Sequence, residues 1–136
     1  MPKPVSIEDN LAIQDLLGRY CWYVDENKAD EWAALYTEDG IFEGAGPQAA
    51  QGTEALKHIP AGVWAGGQGK MRHQYGNLYI DQGDDANTLV ARFYNQIITW
   101  GAGGKLNALA VCTATLVRTG AGAPWKIKKN SLVFIT

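Results

Sequence analysis

The sequence predicts an α+β fold in which N-terminal helices pack against a curled antiparallel sheet. Apolar residues recur at helical spacing in the first part of the chain, whereas four long strand-like segments follow residue 70. Turn-rich stretches such as QGDDAN and TGAGAP separate these segments. Helices followed by a run of strands are typical of an α+β domain.

The first two helices are predicted from capping residues and apolar spacing. Ser6 precedes apolar residues at helical spacing and resembles an N-cap, so the first helix is expected over residues 7–26. Asp30 can cap a second helix, EWAALYTEDG, which Gly40 ends. A short strand, IFEG, follows it.

A third helix is predicted between two glycine-rich loops. The segment 44–52 is expected to be a loop, Thr53 starts the helix, and Pro60 stops it. The second loop, 62–69, carries Trp64 among flexible glycines. It is predicted to be either a mobile lid over a pocket or a plain surface loop.

The second half of the chain is expected to form four long strands: MRHQYGNLYID, TLVARFYNQIITW, NALAVCTATLVR and WKIKKNSLVFI. In the first of them, alternation places His73, Tyr75, Asn77 and Tyr79 on one face. Such a polar face is directed either to solvent or into a functional cavity. The glycine-rich segment 101–106 does not match a phosphate-binding loop and is predicted to be a hairpin connection.

The composition favours a globular domain and gives no sign of nucleic-acid binding. The 136 residues are expected to form one domain, 1–136, and 46% hydrophobic with 19% charged residues is typical of a globular chain. A net charge of −2 without a basic cluster gives no reason to expect nucleic acid.

Other sequence signals bear on location and metals. No secretory signal or membrane-spanning apolar run is visible, so we expect a cytoplasmic protein that does not contact a membrane. Cys21 and Cys112 are far apart and lack nearby histidines at ligand spacing. They are predicted to be reduced and buried, and no metal site is expected.

Three stretches resemble the SnoaL-like branch of the nuclear-transport-factor-2-like superfamily: residues 13–44, residues 72–86 and the PWKIKK segment. The resemblance covers nearly the whole chain. It implies a cone-shaped sheet that wraps round a pocket closed by helices, without a cofactor. It also implies a homodimer or homotrimer built on the open face of the sheet. Because the family includes several enzyme classes and non-catalytic binders, the fold does not decide the function.

The resemblance to scytalone dehydratase and bile-acid 7α-dehydratase implies three catalytic residues. By position alone, Asp25 would be a solvated carboxylate at a helix end. In those enzymes an aspartate after this helix and a histidine in this strand form a dyad, which matches Asp25 and His73. A catalytic tyrosine on the same helix matches Tyr20, whose alternative is a core tyrosine. One histidine could remove a carbon proton and return it to a departing hydroxyl in a syn elimination.

A flat aromatic or polycyclic ligand is predicted from the abundance of aromatic residues. The residues expected to contact it are Tyr36, Tyr75, Asn77, Phe42, Trp22, Phe93 and Asn95.

The sequence leaves the reaction open. A cofactor-independent dehydratase is favoured, with an isomerase or polyketide cyclase, or a non-catalytic binder, as alternatives. Scytalone dehydratase has a second histidine near the end of the next strand, around Thr99, and this chain has none there. The other histidine, His58, lies on the third predicted helix and is expected to be exposed.

Overall fold

The computed structural model describes residues 4–101 and 103–135 and confirms the predicted α+β fold. Helices pack against a curved sheet of six strands that does not close, in the order β2-β1-β6-β5-β4-β3. The helices are α1 (Ile7–Asp25), α2 (Ala29–Ala33) and α3 (Thr53–Gly67). The strands are β1 (Tyr36–Glu43), β2 (Ala50–Gln51), β3 (Met71–Gln82), β4 (Thr88–Thr99), β5 (Lys105–Val117) and β6 (Lys126–Phe134).

The sheet is mainly antiparallel, as predicted, with one parallel pair. Strands β3 to β6 pair with their sequence neighbours in antiparallel fashion, but β1 and β6 run parallel. A parallel pair needs a long crossover rather than a hairpin, and the connection here runs through β2, α3, β3, β4 and β5. The connection between β4 and β5 includes Ala102, which lies outside the described residues, so the predicted hairpin over 101–106 is not described in full.

Helix α1 follows the sequence prediction closely. The Ser6 side chain accepts a hydrogen bond from the Asp9 amide at 3.0 Å, which caps the first turn. The buried face includes Ile13, Leu17 and Val24, at the spacing that aligns side chains along one side of a helix. The buried face of α1 therefore packs against the sheet along most of the length of the helix.

Helix α2 is much shorter than predicted, and Asp30 lies within it rather than capping it. The chain leaves the helix after Ala33 because the following residues pair with β6. The Ile127 amide donates to the Leu35 carbonyl at 2.9 Å, and Tyr36 is the register partner of Ile127. Pairing with a distant strand thus overrides the local helical preference of this segment.

Helix α3 continues through Pro60 to Gly67, so the expected loop over 62–69 is mainly helical. Proline removes one backbone hydrogen bond from a helix interior and normally interrupts it. Here the Pro60 ring is fully buried, and this burial favours the helix despite the lost bond. The helix ends at Gln68, whose φ of 53° is left-handed.

Strand β3 contains a bulge that reverses the predicted alternation of its side chains. The register with β4 shifts between Gly76 and Tyr79, and Asn77 has a φ of 53°. Beyond this point Leu78 and Ile80 pack against the core, whereas Tyr79 is half exposed. The prediction that Asn77 and Tyr79 share a face with His73 was therefore wrong.

The two cysteines are free and buried, as the sequence predicts. Burial, and next the charge of Asp25, raises the pKa of Cys21 from 9.0 to about 12. Burial alone raises the pKa of Cys112 from 9.0 to about 12. Both thiols therefore stay protonated in the folded protein at neutral pH. None of the helices in the described ranges is long and apolar enough to cross a membrane.

We expect the free energy of unfolding to fall as the pH rises from about 9 toward 12. The unfolded chain releases the two thiol protons near pH 9, whereas the folded chain keeps them to about pH 12. The unfolded state then binds fewer protons, so each thiol lowers the free energy of unfolding by about 1.4 kcal/mol per pH unit. Urea unfolding followed by circular dichroism across this range measures the slope. The double variant Cys21→Ala/Cys112→Ala should show a shallower slope, and an equal slope would contradict the assignment.

Candidate functional site

The side chains of Asp25 and His73 form a paired hydrogen-bonded contact between α1 and β3. Asp25 Oδ1 lies 2.6 Å from His73 Nδ1, and Asp25 Oδ2 accepts the His73 backbone amide at 2.8 Å. The side chains are 5% and 10% exposed. One residue therefore satisfies both oxygens of a buried carboxylate, which fixes the imidazole relative to the helix.

This contact determines which imidazole nitrogen carries the proton. An ionised carboxylate can only accept hydrogen bonds, so Nδ1 of His73 must be the donor to Asp25. In the neutral ring Nε2 is then without a hydrogen and can accept a proton. Asp25 therefore holds His73 in the tautomer that a general base requires.

The position of Asp25 in α1 is electrostatically unfavourable without its partner. It is the last residue of the helix, where backbone carbonyls give a negative potential, and the last turn has no basic residue. The two donors of His73 offset this cost. Within the contact, the carboxylate faces the ring nitrogen that carries the proton.

Tyr20 lies on the same helix and points its hydroxyl group into a buried polar cluster. It is 3% exposed, and its Oη accepts a hydrogen bond from Asn130 Nδ2 at 3.0 Å. Burial raises the pKa of Tyr20 well above its usual value of 10, so the phenol keeps its proton. Because the bond from Asn130 uses a lone pair of Oη, the hydroxyl hydrogen remains available for donation.

Tyr36 lies behind Tyr20 rather than on the cavity wall. Its Oη is buried, has no hydrogen-bond partner of good geometry among the described residues, and lies near Tyr20 and Asn130. Burial raises the pKa of Tyr36 well above 10 as well. Trp32 packs on both phenol rings, with ring centroids 5.5 Å from Tyr20 and 4.9 Å from Tyr36.

A cavity of about 450 Å³ lies between α3 and the concave face of the sheet, and both Tyr20 and His73 line it. This volume is in the range of sites for small organic ligands. The helical wall presents mainly apolar groups, including Ile59 and Val63. The strand wall is also largely apolar, with contributions from Met71, Ile97, Leu132 and Phe134.

Further polar side chains line the same cavity. Asn95 is 1% exposed, and its Oδ1 has no hydrogen-bond partner among the described residues. Asn107 Nδ2 donates to Thr99 Oγ1. His58 is exposed, as the sequence predicts, and yet it also lines the cavity. A buried amide without a protein partner favours a ligand that carries a matching polar group.

The seven predicted ligand-contacting residues divide into two groups. Two of them line the cavity, Phe42 and Asn95, whereas five lie elsewhere: Tyr36, Tyr75, Trp22, Phe93 and Asn77. Trp22 is on the outer side of α1 and 65% exposed, and the bulge in β3 turns Asn77 outward.

Tyr75 and Phe93 contribute to packing outside the cavity. The Tyr75 hydroxyl donates to the Gln14 carbonyl at 3.1 Å, and its ring contacts Phe93 edge to face. Phe93 is 2% exposed and belongs to the core. Aromatic content alone could not distinguish these positions from cavity-lining ones.

The sequence reasoning missed three polar or aromatic cavity residues. Trp32 was read only as part of a helix, Asn107 as part of a strand, and His58 as a surface residue. The sequence places His58 on a helix but does not show that this helix forms a wall of the cavity. No group of three or more side chains suited to a metal ion occurs in residues 4–101 and 103–135.

The comparison with known families agrees with this architecture. A sequence profile described as "SnoaL-like domain" matches residues 5–130. No curated protein is significantly similar to the chain in sequence.

Solved structures of the same fold come from several bacteria. An NTF2-like protein with a cystatin-like fold from Novosphingobium aromaticivorans is 21% identical, with a TM-score of 0.83, over 95% of this chain and 83% of that one. A Catenulispora acidiphila structure in complex with S-DNPA is 23% identical, with a TM-score of 0.77, over 95% of each chain. A protein from N. aromaticivorans that is provisionally named a scytalone dehydratase is 22% identical, with a TM-score of 0.73, over 96% of this chain and 86% of that one. At these identities the similarity shows the fold.

We expect Asp25→Asn to move the His73 proton from Nδ1 to Nε2. The amide has one acceptor oxygen for two His73 donors, so its NH₂ group must face one of them. If the oxygen keeps the backbone amide, the NH₂ group faces Nδ1, which then becomes an acceptor. Nitrogen-15 chemical shifts of the imidazole report the tautomer directly. Asp15→Asn, an exposed change on the same helix, is the matched control, and identical His73 shifts in the two variants would contradict the prediction.

Proposed function

The chain belongs to the SnoaL-like domain family, and from its cavity we propose that it is a cofactor-independent dehydratase. The substrate we propose is a hydrophobic aromatic or polycyclic hydroxy-ketone. The observation that carries the proposal is the Asp25–His73 pair, which lies beside a cavity that both His73 and Tyr20 line.

Proton removal from carbon is the first step of the proposed reaction. A hydrogen next to a carbonyl is acidic enough for a positioned imidazole to remove, and such general-base catalysis contributes roughly 10²–10⁴ in rate. His73 Nε2 takes the proton. The Asp25 carboxylate, 2.6 Å from Nδ1, stabilises the positive charge that forms on the ring.

The enolate that results is stabilised by Tyr20. Its hydroxyl group donates to the oxygen on which negative charge develops, in place of the neighbouring Tyr36 hydroxyl, while Asn130 donates to the phenol oxygen. The raised pKa of Tyr20 keeps this donor protonated at neutral and mildly alkaline pH. Loss of the β-hydroxyl group as water then gives a conjugated double bond.

The rest of the cavity supports a ligand of this kind. Its walls are mainly apolar and suit a ring system, and the unpartnered Oδ1 of Asn95 suits a ligand hydroxyl. The related structure that contains S-DNPA is a precedent for a small molecule bound within this fold. A relative provisionally named a scytalone dehydratase is consistent with the same reaction class.

The same base and donor would also serve an isomerase or a cyclase, because those reactions pass through an enolate too. The products separate the possibilities: a new conjugated double bond with release of water identifies the dehydratase, and rearrangement without loss of water identifies the others. A ligand recovered unchanged identifies a binder.

We further propose that the protein forms a homodimer or homotrimer through the outer face of its sheet. Tyr94, Val111 and Val133 are register neighbours across β4, β5 and β6 and point away from the cavity. Tyr94 is 43% and Val133 68% exposed. An apolar row on a sheet face favours contact with another copy. The cytoplasmic location stays a prediction from the sequence.

A suitable test substrate is 3-hydroxy-1-tetralone, a bicyclic β-hydroxy ketone. We expect the protein to dehydrate it to 1-naphthol, which is fluorescent. His73→Gln should lower kcat/KM by roughly 10²–10⁴, because it removes the base. Tyr20→Phe should lower it by roughly 10²–10³, because it removes the oxyanion donor. Tyr79→Phe, the same change at an exposed position on β3, should retain full activity. Wild-type protein that releases no 1-naphthol from this ketone would argue against the proposed function.

We expect Val133→Lys to convert the oligomer to a monomer, because it places a charge at the most exposed position of the apolar row. Sedimentation velocity measures the change. Leu11→Lys, at a position on α1 that is 59% exposed, is the control and should leave the oligomer intact. A wild-type protein that sediments as a monomer would exclude the proposed assembly.

A further inference from the structure

Both histidines of the chain line the same cavity, although they come from different elements and lie 15 residues apart. His73 is on the strand wall and is held by Asp25. His58 is on the wall formed by α3, with Ile59 and Val63 as neighbours along the cavity. A ligand between the two walls therefore meets an imidazole on each side.

The environments of the two imidazoles are opposite in character. His73 is 10% exposed at its side chain, and its Nδ1 is committed to Asp25. His58 is exposed and makes no hydrogen bond or ion pair with any residue in the described ranges. Its ring is therefore reached by water and can turn toward a ligand. A fixed base and a separate proton donor are the two groups that an elimination of water requires.

We propose that His58 is the catalytic acid that protonates the departing hydroxyl group. The proposal rests on the dehydratase function proposed above, and it assigns proton delivery to the helical wall rather than to His73. The substrate it implies carries the acidic C–H toward the strands and the leaving hydroxyl toward α3. Such a substrate would lose its proton and its hydroxyl from opposite faces.

The proton and electron balance of this step is complete without a further reactant. The C–H bond breaks, its proton passes to His73 Nε2, and its electron pair forms the enolate. When the C–O bond breaks, the enolate electrons form the new carbon–carbon double bond and restore the carbonyl. The leaving oxygen takes the electron pair of the C–O bond and one proton from protonated His58, and departs as water. His58 regains a proton from solvent, and His73 releases one.

A pair of substrates that differ only in the leaving group tests this role. Loss of hydroxide from 3-hydroxy-1-tetralone needs an acid, whereas loss of acetate from 3-acetoxy-1-tetralone does not, and both give 1-naphthol. His58→Gln should lower kcat/KM for the hydroxy ketone by roughly 10² or more while leaving the acetoxy ketone nearly unchanged. His73→Gln should slow both, because both need the base. Glu54→Gln, exposed on the first turn of α3 and outside the cavity, should affect neither.

The acetoxy substrate also shows that the variant is folded. Equal slowing of both substrates by His58→Gln would overturn the acid role, since a structural defect acts regardless of the leaving group. Unchanged rates with both would overturn it as well. If the wild-type protein converts neither ketone, the dehydratase proposal itself fails, which is a distinct result from the failure of His58 alone.

Discussion

The double hydrogen bond between Asp25 and His73 is the interaction on which the site depends. It joins the last residue of α1 to a strand that lies 48 residues further along the chain. A carboxylate buried at the negative end of a helix would be costly alone, and here both of its oxygens are satisfied by one residue. The same contact therefore anchors the helix to the sheet and fixes the imidazole. Structural and chemical roles cannot be separated at this position.

Helix α1 also fixes the second polar group of the site. Tyr20 and Asp25 are five residues apart, about 7.5 Å along the axis, on one continuous helix. The distance between the phenol and the imidazole is thus set by helix geometry rather than by a loop. Asn130, fully buried on β6, holds the phenol from the sheet side. A site positioned by regular elements in this way has little freedom to distort, which is favourable for electrostatic catalysis.

The sequence predicted those features that depend on local periodicity and on a family resemblance. The extent of α1, the four long strands and the α+β class follow from residue spacing. The short α2 could not be predicted, because the chain leaves the helix to pair with the distant strand β6, beginning at Ile127. The bulge that turns Asn77 outward could not be predicted either. A prediction from strict alternation assumes that no extra residue interrupts the strand.

The candidate site was also predicted only in part. The Asp25–His73 contact was anticipated from the resemblance, and the hydrogen bonds that join the two side chains are present in the structure. The sequence could not predict which aromatic residues line the cavity. Phe42 and Phe93 are the same residue type and are both buried, but Phe42 alone of the two lines the cavity. The sequence placed His58 on the third helix and predicted its exposure, but the packing of that helix against the sheet, which forms the cavity, depends on contacts between distant segments.

The parallel pairing of β1 with β6 has a consequence for how the protein is made. Strand β6 follows the other five strands of this sheet in the chain, and yet it lies between β1 and β5 and supplies the amide behind Tyr20. Until β6 is available, the N-terminal helices and β1 keep part of their apolar surface exposed to solvent. Contacts of such long sequence separation slow folding. We therefore expect nascent chains that lack β6 to be the species most dependent on chaperones, and the cavity to close only in the final stage of folding.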